Sequence, residues 1–179
     1  MDGIVFIELR KFVEVGFGRD GWMQILKKAD IGEDLFMPSK TYPDHQIVSI
    51  VLAACEITGK SAHEILDAFG KFIVPDLIGI YGSFIDPKWT MIDMIENVET
   101  TIHRIVRMKN AGADPPELSC TRLGKNKIEI AYKSKRKMCA FAKGLVAGLA
   151  NHYNVKATVT ETLCMHNGDA ECRMQVVTS

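Results

Sequence analysis

The sequence predicts an α+β fold: a helical first part, then a part with one long helix and an antiparallel sheet. Three observations predict it. Apolar residues recur at helical spacing as far as Lys109. Gly112, Pro115 and Pro116 then stop that pattern. Beyond them, polar and apolar residues alternate in short runs, the period of strands with one buried face.

The elements follow in order. Ile4, Leu9, Phe12 and Val13 fall at roughly helical spacing. Asp20 is expected to cap a stretch from Gly21 to Lys28, whose Trp22, Ile25, Leu26 and Ala29 share a face. Leu35 to Pro43 carries two prolines and reads as a loop. Asp44 is expected to cap a helix through Ala54, ended by Thr58-Gly59-Lys60. Ser61 with Glu64 three residues later is a capping box, opening a helix toward Phe72. Pro75, Gly79, Gly82 and Pro87 mark a second loop region. From about Lys88 to Lys109 one helix is expected, striped by Met91, Ile95, Val98, Ile102 and Ile105. Lys127 to Tyr132 alternates as a strand, and Met138 to Asn151 reads as a buried helix. Lys156 to Leu163 and Cys172 to Val177 alternate across the Asn167-Gly168 turn, a hairpin. The hairpins are expected to form one sheet.

The chain has 179 residues, enough for one domain with a sizeable core or for two small lobes sharing one. With 47% hydrophobic and 25% charged residues the composition is that of an ordinary globular domain. Twenty-two basic residues balance 22 acidic ones, and no Lys/Arg run is long enough to make nucleic acid the main partner. The short basic stretch Lys133, Lys135, Arg136, Lys137 therefore needs a local explanation. No apolar run reaches the length of a membrane span. The start Met1-Asp2-Gly3-Ile4-Val5-Phe6 lacks a basic n-region and a cleavage site, so no signal peptide is expected and the location is expected to be cytoplasmic. Five cysteines, an odd number, then read as thiols or metal ligands and not as a disulfide framework.

Two constellations carry chemistry. His103 lies at the edge of the apolar stripe, flanked by Ile102 and Val106. It reads either as a half-buried surface histidine or as an axial ligand, since a neutral imidazole on a rigid helix aimed into an apolar cavity is what heme iron requires. Tyr132, Ser134 and Arg136 are two apart, so on a strand they share a face. A phenol, a hydroxyl and a guanidinium in one row make a donor comb for carboxylates. The other reading is a solvated strand end, with Lys133, Lys135 and Lys137 around it.

At these residues the chain resembles the heme-nitric oxide/oxygen-binding (H-NOX) domains, related to the sensor region of soluble guanylate cyclase. The resemblance covers essentially the whole chain. It rests on Met1-Asp2-Gly3-Ile4-Val5-Phe6, Ile102-His103-Arg104, Gly112-Ala113-Asp114-Pro115-Pro116 and Tyr132-Lys133-Ser134-Lys135-Arg136. It implies one H-NOX domain over residues 1–179, with a helical distal lobe at 1–60 and an α+β proximal lobe at 61–179. It also implies a five-coordinate ferrous b-type heme. His103 would be the proximal iron ligand, and Tyr132, Ser134 and Arg136 would bond the propionates. Pro116 would press on the porphyrin, and Ile4 or Val5, Leu9, Ile73, Phe141 and Leu145 would wall the pocket.

Oxygen-binding members carry a distal tyrosine. The matching position here is Phe141, which has no hydroxyl. A donor there gives bound oxygen about 1 kcal/mol or more, and nitric oxide needs no such help. The resemblance therefore implies nitric oxide and carbon monoxide as ligands, with Tyr81 and Tyr153 left open as hidden donors.

Cys164, His166 and Cys172 bracket the tight turn, and Cys139 starts the preceding helix. Three thiolates and one imidazole make a common structural zinc set, although the spacing is not that of a standard finger and separate cysteines are the plainer reading. Some bacterial H-NOX members look similar here, with zinc and oxidation-responsive thiols. Glu161 competes with His166 for the fourth place, while Cys55 and Cys120 read as packing residues.

The expected role is a sensor and not an enzyme. The chain is expected to carry no output domain beyond Ser179 and to act on a separate partner. In similar proteins that partner is a histidine kinase or a cyclic-di-GMP enzyme. The alternative is a zinc/thiol redox sensor in the same fold, with heme secondary. A peroxidase-like catalyst is disfavoured, since no distal histidine/arginine pair is evident.

Overall fold

The structure is a computed structural model and describes residues 1–32, 34–110 and 112–179. Helix α1 spans Gly3–Lys28 and starts where the Asp2 carboxylate accepts from the Ile4 N–H at 3.0 Å. Gly18, at φ 69° and ψ 178°, breaks the helical path, so α1 is two helical stretches joined at a kink. The break thus falls before Asp20, which lies inside the second stretch and does not cap it. Phe6, Leu9 and Val13 bury the first stretch; Trp22, Ile25 and Leu26 bury the second.

Helix α2 covers Asp44–Thr58 and ends on Gly59 in the left-handed region, φ 71°. Asp44 is its first residue and not its cap. Its carboxylate instead takes the N-terminal amine at 2.8 Å and the Arg136 guanidinium at 2.9 Å. Helix α3, Ala62–Tyr81, starts at the expected capping box. Glu64 N–H donates to Ser61 Oγ at 3.2 Å, and Ser61 N–H donates to the Glu64 carboxylate at 2.9 Å.

The loop expected from Pro75 begins only after Tyr81; α3 runs through the proline. A mid-helix proline removes one hydrogen bond and costs about 3 kcal/mol. The helix continues because its flanks are buried, with Phe69, Ile73 and Val74 at most 2% exposed. Lys71, whose carbonyl lies four residues before Pro75, faces a neighbouring helix closely there: a Cβ at Gly148 would meet that oxygen at 2.9 Å.

The long helix expected up to Lys109 is three pieces. Helix α4, Met91–Asn97, opens on a Thr90–Asp93 capping box. A π-helical turn occupies Val98–His103, and α5 follows over Arg104–Lys109. Such turns accommodate one extra residue in a helix as a local bulge.

The sheet has four antiparallel strands in the order β1-β2-β4-β3: β1 Glu117–Gly124, β2 Lys127–Lys133, β3 Ala157–Leu163 and β4 Cys172–Thr178. Strand β1 is not expected from the sequence. Of its eight residues only Leu118 and Cys120 are even partly buried, so its apolar alternation is too short to read. Helix α6, Cys139–His152, lies where the sequence predicts it.

Two apolar cores result. Phe6, Trp22, Ile47, Phe69 and Ile73 belong to the helical one. Val74, Ile92, Ile128, Met174 and Val176 belong to the one against the sheet. Helix α3 therefore serves both. It meets α6 backbone to backbone: a Cβ at Gly144 would sit 2.1 Å from the Asp67 carbonyl oxygen, and one at Gly70 would sit 2.3 Å from that of Phe141. Among the described residues no helix is long and apolar enough to cross a membrane.

Candidate functional site

A cavity of about 220 Å³ opens between the two cores. Helix α1 contributes Ile4 and Val5 to its wall, α3 contributes Ile73, Leu77 and Tyr81, and α6 contributes Phe141 and Leu145. The opposite wall is Ile102, His103 and Val106 with Pro115 and Pro116, and the sheet closes the back with Leu118, Ile130, Tyr132 and Met174. The lining is thus apolar except for a few groups, the usual character of a cofactor pocket.

His103 is the imidazole of that wall. Its side chain is 14% exposed, and its Nδ1 lies 2.8 Å from Glu99 Oε2. Burial pulls the imidazole pKa below its ordinary value, and the neighbouring Glu99 charge works against that shift. Burial alone would raise the Glu99 pKa. Hydrogen bonds from His103 and Arg107 outweigh it and hold the carboxyl below its usual range. An ionised carboxylate only accepts, so Nδ1 carries the proton that it donates to Glu99. That leaves Nε2 with a free lone pair.

Tyr132 and Arg136 both line the cavity, but not as members of one strand. Strand β2 ends at Lys133, and a turn closes when Lys137 N–H donates to the Ser134 carbonyl at 3.1 Å. Ser134 does not line the cavity; its hydroxyl accepts from the Arg136 N–H at 3.3 Å and so shapes the turn. The Arg136 side chain, 6% exposed, is held by the Asp44 carboxylate and by the carbonyl oxygen of Asp114. Burial pushes the Tyr132 phenol pKa up, against the pull of Ser134 and Arg136.

Leu9 is not on this wall. It sits in the helical core and borders a second cavity of about 110 Å³ between α1, α2 and α3. Val5, four residues before it, lies on nearly the same helical face but one turn nearer the cavity, so the wall ends before Leu9 is reached. On the other side of the pocket, the Phe141 ring packs against Phe69 at 5.1 Å. Tyr81 is 6% exposed and does reach the wall, whereas Tyr153 packs against His152 outside it.

A second cluster lies on the far side of α6. Ligand atoms of Cys139, Glu161, Cys164 and Cys172 all lie within 4.8 Å of one another. The sulfurs of Cys139 and Cys172 are 3.9 and 4.0 Å from that of Cys164. His166 is not part of it. Its ring is exposed and bonds the Lys137 carbonyl at 2.7 Å; of the two candidates Glu161 is the one that lies with the three cysteines. Glu161 Oε1 is buried without a partner, while its Oε2 accepts from Lys143 at 3.1 Å. Burial, with the neighbouring thiols, pushes the Cys139 thiol up to about 12. Cys55 and Cys120 pack against the helical and sheet cores respectively.

The residues present fit a heme: one imidazole with a free nitrogen, apolar walls, and an arginine and a phenol for anionic groups. Glu99, Leu77 and Asp114 belong to the site without being expected from the sequence. Of these Glu99 has a readable signal, an acid four residues before the histidine on a helix.

Comparison with known proteins agrees with this fit. The sequence profile of the haem-NO-binding family matches residues 2–161. Soluble guanylate cyclase 89Da of Drosophila melanogaster is 24% identical over 168 residues, which is 90% of this chain and 25% of that protein. The chain therefore spans about a quarter of that relative's length. An H-NOX protein from S. oneidensis in the Fe(II)NO state superposes with a TM-score of 0.93 at 24% identity, over 100% of this chain and 99% of the other. An unliganded Fe(II) H-NOX protein from K. algicida gives 0.87 at 22% identity, over 100% and 97%. A single-substitution variant of T. Tengcongensis H-NOX gives 0.87 at 21% identity, over 100% and 98%. The chain belongs to the haem-NO-binding family and has the H-NOX fold.

Proposed function

We propose that the chain holds a b-type heme through His103 Nε2 and senses nitric oxide while excluding oxygen. The observation that carries this is the His103–Glu99 pair at the edge of an apolar cavity, with one ring nitrogen engaged and the other free. Bound there, the heme supplies a ferrous iron that takes a diatomic gas. The chain's own residues do the rest. Pro116 bears on one face of the cavity; Ile4, Val5, Ile73, Phe141 and Leu145 keep water from the other. Tyr132 and Arg136 meet the anionic edge, and Ser134 holds the turn that aims Arg136. In this reading residues 1–60 are the distal lobe and 61–179 the proximal lobe, with α3 shared.

Phe141 offers no proton on the gas side, and this supports selectivity for nitric oxide and carbon monoxide. Tyr81 is the donor to test against it. Ferrous protein in air is expected to keep its unliganded spectrum, while nitric oxide and carbon monoxide each shift the Soret band. Phe141→Tyr is expected to raise oxygen affinity about tenfold, the worth of one net hydrogen bond. A stable oxygen spectrum in the unmodified protein that Tyr81→Phe abolishes would overturn the assignment.

The output we propose runs to a separate bacterial partner in the cytoplasm, a histidine kinase or a cyclic-di-GMP enzyme. A second reading, a zinc/thiol redox sensor in the same fold, is favoured by the unpartnered Glu161 Oε1 among three buried sulfurs. Thiolates around a tetrahedral zinc, each at about 2.3 Å, stand about 3.8 Å apart. The 3.9 and 4.0 Å separations here match that spacing. Reduced protein is expected to contain about one zinc per chain, and Cys164→Ala or Cys172→Ala to lose most of it. His166→Ala is expected to keep it. Full zinc in both cysteine variants sinks the site.

A further inference from the structure

We infer that Glu99 is a positioning residue that sets how strongly His103 donates to iron, and that Arg107 tempers it. The inference rests on the reading of His103 as the iron ligand. Three features of the structure carry it. Oε2 of the Glu99 carboxylate lies in hydrogen-bond contact with His103 Nδ1 at 2.8 Å. It is fixed from outside the histidine's own turn, because Leu118 N–H of strand β1 donates to the same Oε2 at 3.3 Å. Its other oxygen is taken by the Arg107 guanidinium at 2.7 Å. The carboxylate is thereby held between the helix and the edge strand, with little freedom to leave the ring.

A carboxylate on Nδ1–H draws the proton toward itself and puts negative charge onto the ring. Nε2 then becomes a stronger donor, as with the carboxylate–histidine pairs that tune other metal sites. Arg107 acts in the opposite sense. It withdraws charge from the carboxylate and so weakens the pull on the Nδ1 proton. The pair makes a graded control on the protein–iron bond, built from the π-helical turn, helix α5 and strand β1.

Opposite signs make this testable. Resonance Raman spectra of the ferrous heme protein report the iron–histidine stretch, and a redox titration reports the potential of the iron. Glu99→Gln keeps the size and an acceptor oxygen but removes the charge. It is expected to move the stretch to lower frequency and the potential upward. Arg107, 40% exposed, is replaceable by alanine without a buried hole. Arg107→Ala is expected to move both readouts the other way. A purely structural role would loosen the site in both variants and shift them together. An unmoved stretch in Glu99→Gln, or shifts of one sign in both variants, would overturn the inference. If the unmodified protein shows no iron–histidine stretch at all, it is the reading of His103 that fails.

Discussion

His103→Gly is expected to purify with most of its heme missing, and added imidazole to restore a ferrous spectrum close to that of the unmodified protein. The reason is that the rest of the wall offers the iron no comparable donor. Among the described residues lining the cavity, His103 is the one imidazole and no cysteine is present. The apolar walls contribute area but no bond, and the guanidinium at the far edge already has Asp44 as a partner. The substitution puts glycine at the end of the π-helical turn, which costs about 1 kcal/mol of helix propensity. Far-ultraviolet circular dichroism of the variant is therefore expected to match the parent. Heme content per chain and the ferrous absorption spectrum make the measurement. An unchanged spectrum with full heme would assign the bond to another group.

The largest effect on stability is expected at the α3–α6 seam. Gly144→Val is expected to lower stability by about 3 kcal/mol or more. A Cβ there would stand 2.1 Å from a backbone oxygen and 2.9 Å from the carbonyl carbon of Asp67. Backbone cannot swing aside as a side chain does, so the helices must part. Parting them also opens the cavity wall, because Phe141 and Leu145 flank Gly144 on α6 while Ile73 and Leu77 lie on α3. For a chain of this length 3 kcal/mol corresponds to roughly 6–12 °C in Tm. Gly79→Ala, in the same helix α3, is the matched control. Its Cβ would meet nothing within 4 Å, and it lies two residues from the end of the helix, so replacing it is expected to stabilise by about 0.5 kcal/mol. Thermal unfolding of the two variants gives opposite signs if the seam is as tight as its geometry requires. A Gly144→Val protein that melts with the parent would contradict it.

Where local chemistry decides the outcome, the sequence is readable. Ser61 and Glu64 start a helix because their side chains satisfy the helix's own first N–H groups, and this needs no distant partner. Gly59 ends one because it tolerates a positive φ. The failures lie where distant packing decides. Pro75 normally ends a helix, but the buried flanks of α3 carry it through. Strand β1 is invisible because its alternation is short: only Leu118 and Cys120 are even partly buried, and the next inward position is the polar Arg122. The π-helical turn leaves no mark on the apolar stripe, so three pieces read as one helix.

The site divides along the same line. His103 and Arg136 are marked by residue type, and both reach the cavity. Leu9 shares the helical period of Val5, yet it lies one turn further along the helix, past the end of the cavity and in the helical core. Tyr132, Ser134 and Arg136 read as a strand face, but β2 stops at Lys133 and a turn takes over. Glu161 and His166 are equally plausible partners for three cysteines from spacing. Only the fold turns one inward and leaves the other on the surface.

The register of the π-helical turn has a further consequence for how the gene can vary. A π turn is an α-helix with one residue too many. Each residue of an ordinary helix advances the chain by about 100°. A single in-frame codon deletion between Val98 and Ile102 would let the helix close without the bulge. The missing residue and the lost bulge offset each other, so positions from there to Lys109 keep their angle relative to α4 and His103 stays on the cavity wall. A second one-codon deletion would have no bulge left to absorb it and would turn every later position of the helix by about 100°. The bulge thus gives this stretch a tolerance of one residue in length that an ordinary helix lacks.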